Sequence, residues 1–171
     1  MANSAPRRCL EEEFIAMSKT IWKPNVTVAA LIERDGKFLL VEEETDEGLR
    51  FNQPAGHLDE GESLVVACAR EALEETAHIV RPTALVGVYQ WPRPQRADRD
   101  DVTYLRFAFA CEVLGEEVGR RLDTGIIAAR WLSLDEVRAT APRHRSPLIL
   151  QCIEDYLAGK RYPLELITHY G

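Results

Sequence analysis

The sequence predicts an α+β domain in which helices pack on a mixed β-sheet. Apolar runs of strand length alternate with longer segments of helical composition, in the order strands, helix, strands, helices. The chain has 171 residues, 46% of them hydrophobic and 29% charged, so it is long enough and apolar enough to bury a core around such a sheet.

Residues 1–22 read as an N-terminal extension, with a short helix over 11–19, ahead of a single domain over 23–171; Pro24 ends any helix before it. VTVAALIE (26–33) and KFLLVEE (37–43) are β-rich, and the Asp35-Gly36 pair between them signals a hairpin. Residues 45–62, TDEGLRFNQPAGHLDEGE, read as a polar loop. SLVVACAREALEET (63–76) is rich in Ala, Leu and Glu, lacks Gly and Pro, and is the clearest helix. TALVGVYQW (83–91), TYLRFAFACEV (103–113) and IIAARWLS (126–133) are strand candidates, the first two separated by the loop WPRPQRADRDD (91–101). SLDEVRA (133–139) begins with a Ser cap and an acidic first turn. Residues 146–158 form a further helix, with Ser146 as its cap, Pro147 at its first position and Gly159 past its end.

A net charge of −7 disfavours nucleic acid and anionic membrane as partners, but not an anionic small molecule if a divalent cation reverses the local field. Cys9, Cys68, Cys111 and Cys152 form no C-x-x-C pair and read as reduced core thiols of a cytoplasmic protein. No apolar run reaches transmembrane length, and the first residues lack the apolar stretch of a signal peptide. A monomer is expected.

Within REALEETA (70–77), Glu71, Glu74 and Glu75 fall at i, i+3 and i+4, on one helix face. Val65, Val66, Ala69, Ala72 and Leu73 fall opposite and are expected to face the sheet, while Ala67 leaves space beside the carboxylates. Spacing alone describes an outward acidic face. Two features favour a cation instead. Same-face glutamates repel by about 0.2–0.5 kcal/mol per pair, and the loop in front supplies Gly56 and Gly61 for close approach and Glu62 at the helix entrance. A hard cation such as Mg2+ takes oxygen ligands of this kind.

Residues 56–78, GHLDEGESLVVACAREALEETAH, resemble the Nudix box. Gly56, Glu62, Arg70, Glu71, Glu74 and Glu75 match its spacing, and Ala72 stands at its first aliphatic position. Ala77 replaces its last Gly and His78 the aliphatic residue after it. Because a left-handed Ala costs about 1–2 kcal/mol, the helix is expected to run on or leave by another turn. The resemblance implies an α/β/α sandwich with a mixed sheet and the box as loop–helix–loop. It implies that Glu71, Glu74 and Glu75 bind Mg2+, or Mn2+ in its place, with the Ala55 carbonyl, and that Arg70 orients the carboxylates. Glu71, Glu74 and Arg70 then carry catalysis, and Glu62 supports the loop or the outer metal shell. The implied reaction is attack of water on phosphorus in a diphosphate linkage.

Over roughly 23–167 the sequence is also similar to bacterial Nudix phosphatases. These release orthophosphate from nucleoside tri- and diphosphates and hydrolyse thiamine-pathway pyrophosphates. Cleavage of ADP-ribose or dinucleoside polyphosphates is the enzymatic alternative, and a nucleotide-binding module without catalysis a further one. For substrate contacts, Trp91 and Tyr89 offer stacking surfaces, and Arg93, Arg96 and Arg99 offer charge, which Asp98, Asp100 and Asp101 balance. Gln53, Asn52 and His57 adjoin the box; Glu112, Glu116 and Glu117 follow a strand from which some Nudix enzymes draw a base. Arg145, Ser146 and the turn at 161–163 are positioned in the sequence to close the site.

Overall fold

In the computed structural model, residues 21–94 and 101–171 are described. The elements are β1 (Asn25–Arg34), β2 (Lys37–Thr45), β3 (Gly48–Asn52), β4 (Ala55–His57), α1 (Leu64–Thr76), β5 (His78–Pro92), β6 (Thr103–Glu116), β7 (Ile126–Ser133), α2 (Leu134–Ala139) and α3 (Leu148–Leu157). The helix expected over 11–19 lies outside the described residues. Asp35 (φ 53°) and Gly36 (φ 76°) are both left-handed, the geometry that lets a two-residue turn follow the twist of β1 and β2.

The strand order is β3-β2-β1-β6-β5, with β4 added to β1 and β7 to β2. β1 runs parallel to β6 and antiparallel to β2 and β4, so the sheet is mixed. Alternation along β1 separates two cores. Ala29 and Leu31 join Leu148, Ile149, Cys152 and Ile153 of α3 on one face. Val28, Ala30 and Ile32 join Ala67, Cys68 and Ala72 of α1 on the other. Helices therefore cover both faces, as the α/β/α expectation requires. Each fully buried Leu or Ile in these layers contributes about 1.5–3 kcal/mol. Cys68, Cys111 and Cys152 are free, buried thiols, and among the described residues no helix is long and apolar enough to cross a membrane.

Several local expectations are corrected. The segment 45–62 is not loop throughout, since it contains β3 and β4; both depend on pairing with distant strands, β2 and β1, which short-range composition does not encode. β5 begins at His78 rather than at residue 83, and bulges around Ile79/Val80, Pro82/Ala84 and Leu85/Gly87 carry it past Pro82. Ser63 caps α1 and Ser133 forms a capping box with Glu136. Ser146 does not cap α3: its Oγ has no hydrogen-bond partner among the described residues, Pro147 takes the cap position rather than the first helical one, and the helix starts at Leu148.

Two corrections concern α1. Its buried residues are Ala67, Cys68, Glu71, Ala72, Glu75 and Thr76, whereas Val66 is 57% exposed. Val65, Ala69 and Ala72 do pack on the sheet as the periodicity predicts, but Val66 does not, and Ala67, Cys68 and two glutamates turn inward with them. At its end, Ala77 does adopt the left-handed conformation (φ 60°). Its N–H donates to the Leu73 carbonyl at 2.9 Å and its carbonyl accepts from the Glu117 N–H at 2.8 Å. The His78 N–H donates to Thr76 Oγ1 at 3.2 Å. Tertiary bonding holds the Schellman-like exit despite the missing glycine.

Candidate active site

Arg70 is the hub of the site. Its Nε and Nη2 donate to the two oxygens of Glu62 at 3.1 and 2.6 Å, and Nη2 also donates to the His57 carbonyl at 3.1 Å. Nη1 donates to Glu71 Oε1 at 2.7 Å and Glu74 Oε2 at 3.0 Å. The planar fork of a guanidinium suits this task, holding several oxygens in fixed directions at once. The Glu62 carboxylate, above all, holds Arg70 well above the usual arginine range, and Arg70 in turn lowers Glu62. The loop before α1 is thereby tied to the helix, with the Asp59 N–H donating to Glu62 Oε1 at 3.0 Å.

Glu71 and Glu75 are only 8% and 9% exposed. Burial raises both; Glu75 is pushed up to about 8, against the single opposing bond from the Ala55 N–H at 2.9 Å. Glu71, Glu43 and Asp123 add repulsion at Glu75. Gly56 makes the close approach possible: a Cβ there would lie 2.2 Å from Glu71 Cδ. Buried, mutually repelling, hard oxygen donors are the chemistry a divalent cation compensates, so the residues present fit Mg2+. Among the described residues, no three His, Cys, Asp or Glu side chains converge as a ready metal cage; Arg70 engages one oxygen each of Glu71 and Glu74.

A cavity of about 300 Å3 is lined at once by Glu75 of α1 and by Leu148 of α3. Trp91 and Tyr104, cross-strand neighbours with rings 5.9 Å apart and 21° from parallel, form one wall. Thr27, Arg106, Arg145 and Ser146 also line it. Arg145 pairs with Glu43, while Arg143 and Arg130 hold the adjacent Glu42 at 2.6 and 2.7 Å and lower its pKa.

Of the expected substrate contacts, Trp91 and Arg93 line the cavity, and Arg96 lies outside the described residues. Gln53 is corrected: it is 1% exposed, does not line the cavity, and is held between Arg106 and the Ile149 carbonyl. Asn52, His57, Arg145 and Ser146 do line it, and Glu112, Glu116 and Glu117 do not. Tyr89 donates to Asp155 at 2.9 Å, and Arg161 stacks on Tyr156 away from the cavity. Thr27, Glu43, Tyr104 and Arg106 escaped notice from sequence. A detectable signal existed for one of them, since Arg106 is the lone charge within the apolar run TYLRFAFA.

The sequence profile of the NUDIX domain matches residues 22–152. The chain is 42% identical to Phosphatase NudJ of Escherichia coli K12 over 151 residues, covering 88% of this chain and 95% of that protein; NudJ of Shigella flexneri matches equally. Among solved structures, a NUDIX hydrolase from Nitrosomonas europaea is 54% identical with a TM-score of 0.81, over 86% of this chain and 98% of that one. An ADP-ribose pyrophosphatase from Streptococcus suis, 20% identical with a TM-score of 0.61 over 82% of this chain and 96% of its own, shares the fold. The chain belongs to the Nudix family and is a hydrolase of phosphorus-containing anhydrides.

Proposed function

We propose that this Nudix hydrolase uses Mg2+ to hydrolyse nucleoside tri- and diphosphates with release of orthophosphate, and also accepts thiamine-pathway pyrophosphates. The 42% identity to a phosphatase over most of both chains supports the substrate class. The observation that carries the chemistry is the buried Glu71–Glu75 pair, raised by desolvation, with Glu75 on the cavity wall. Glu71, Glu74 and Glu75, with the Ala55 carbonyl, are the ligands for Mg2+ or Mn2+. When bound, the ion supplies Lewis acidity to the phosphate oxygens and lowers the pKa of water.

The chain's own groups do the rest. Arg70 aims Glu71 and Glu74 through Nη1, and Glu62 anchors Arg70. Glu74, with a side chain 30% exposed, is the most accessible of the three to receive the proton of the attacking water. Water oxygen bonds to the terminal phosphorus, the bridging P–O bond breaks, and the shortened nucleotide leaves with the electron pair. Trp91 stacks on the organic part, Arg93 and Arg96 meet phosphate oxygens, and Gln53 acts through Arg106. Residues 23–171 work as one domain, monomeric and cytoplasmic, behind the extension 1–22.

Orthophosphate release across nucleoside tri- and diphosphates, ADP-ribose and thiamine diphosphate, with and without EDTA, tests this. Orthophosphate with Mg2+, abolished by Glu74→Gln or Glu75→Gln, is the expected result. Pyrophosphate or two monophosphates would assign internal cleavage, and binding without turnover would make the chain a nucleotide-binding module.

A further inference from the structure

Arg106 is 8% exposed yet lines the cavity, on the same strand face as Ala108 and Ala110. Its guanidinium donates to Gln53 Oε1 at 3.0 Å and to Asn52 Oδ1 at 3.4 Å, both neutral amides. Among the described residues no carboxylate forms an ion pair with it. Arg145, close enough to repel it, is committed to Glu43, and Glu75 acts on it only at longer range. A buried cation without a counter-charge is costly, and burial holds Arg106 below the usual arginine range. The relay is rigid nonetheless, because Gln53 Nε2 donates to the Ile149 carbonyl of α3 at 3.0 Å.

Four buried side-chain atoms have no hydrogen-bond partner among the described residues: Thr27 Oγ1, Glu43 Oε1, Arg93 Nη2 and Ser146 Oγ. All four residues line the same cavity as Arg106. Thr27 is the register partner of Arg106 across β1 and β6, and Ser146 follows the Arg145 that holds Glu43. Orphaned buried polar atoms are rare, and four around one cavity mark groups awaiting a ligand. Three of them can donate, and with Arg106 they suit an oxyanion. Glu43 Oε1 can only accept. It selects an oxyanion that still carries a proton, which a terminal phosphate does around its second ionisation, at about pH 6.

We propose that Arg106, Thr27, Ser146 and Glu43 form a metal-independent binding site for a terminal phosphate group, with Arg93 at its margin. The bound group is either the terminal phosphate of the substrate or released orthophosphate. Only the use of the site in turnover rests on the phosphatase reading; binding does not.

The test is calorimetric titration of the full chain, stripped with EDTA at about pH 6, with sodium phosphate and, at matched ionic strength, sodium sulfate. Phosphate binds wild type more tightly than sulfate. Arg106→Met weakens phosphate by about tenfold to a hundredfold and Ser146→Ala by about threefold, the losses expected for charged and neutral hydrogen bonds. Glu74→Gln, which stops hydrolysis under the reading above, retains phosphate binding. A raised KM for Arg106→Met with kcat held assigns the substrate phosphate; loss of competitive inhibition by orthophosphate assigns the product. Unchanged phosphate affinity in Ser146→Ala and in folded Arg106→Met, or sulfate binding as tightly as phosphate, overturns the proposal. Should Arg106→Met fail to fold, Ser146→Ala decides alone. Phosphate binding intact in a chain that hydrolyses no anhydride sinks the phosphatase reading and leaves this one standing.

Discussion

Gly56→Ala tests the packing that brings a carboxylate into the site. The added Cβ would lie 2.2 Å from Cδ and Oε1 and 2.3 Å from Oε2 of Glu71, far inside van der Waals contact. Neither side has room to yield cheaply. Gly56 is paired to Val28 in the sheet, and Glu71 is 8% exposed and bonded to Arg70 Nη1 at 2.7 Å. Relief therefore means displacing the carboxylate. That forfeits a charge-assisted bond of about 1.5–3 kcal/mol and adds overpacking strain of about 1–3 kcal/mol. The total of about 2.5–6 kcal/mol corresponds to a Tm lowered by about 5–24 °C in a chain of this size. Thermal melts and Mg2+-dependent orthophosphate release read the two consequences. Because the clash is with one side chain, Glu71→Ala should remove most of it, so the double variant should show a coupling of about 1–3 kcal/mol. Equal stability and turnover in Gly56→Ala, or strictly additive single and double variants, would refute the reasoning.

Glu75 predicts a pH dependence. Its folded pKa of about 8 lies above the ordinary 4.5, so between these values the folded state binds more protons than the unfolded one. Metal-free stability contributed by this group is then full below about 4.5 and is lost as pH rises towards about 8, with a slope of at most about 1.4 kcal/mol per pH unit. Urea midpoints in EDTA should show that decline in wild type and a flatter profile in Glu75→Gln; identical profiles would sink the assignment. Arg70→Lys cannot reproduce the fork that reaches Glu62, Glu71, Glu74 and the His57 carbonyl, and should lower kcat at least about tenfold, as an activity assay at saturating substrate would reveal. Ala77→Gly relieves a left-handed alanine and should stabilise by about 0.5–1 kcal/mol after the entropic cost of glycine, measurable as a raised urea midpoint with an unchanged slope.

What the sequence disclosed was what its local spacing encodes. The six box residues span twenty positions, and they are legible because their spacing is local, although Gly56 belongs to β4 and the rest to α1 and the loop before it. The Asp35-Gly36 hairpin and the Ser63 and Ser133 caps are likewise decided by neighbouring residues. β4 is different. Three residues, Ala55–His57, have no strand signature of their own and exist as a strand through their register on Thr27–Ala29. Ser146 has good capping chemistry, yet its hydroxyl is buried at the cavity.

The partly misplaced phase of α1 has a deeper cause. Helical periodicity assumes that charge faces water, and a helix that turns carboxylates inward violates this, as functional sites do. Placing Glu71 and Glu75 inside makes Ala67, Cys68 and Ala72 the seat on the sheet and leaves Val66 exposed. An apolar residue outside and carboxylates inside form a single compensated exchange. The same logic makes Arg106 informative. In a strand covered by a helix on each face of the sheet, either side-chain direction leads inward, so a lone charge there must meet a partner. Under the proposed reading a divalent ion would compensate Glu75, whereas Arg106 meets the amides of Asn52 and Gln53 and the Cys152 thiol. A buried carboxyl and a buried guanidinium bordering one cavity suit a ligand that brings both signs, an anionic phosphate accompanied by its cation.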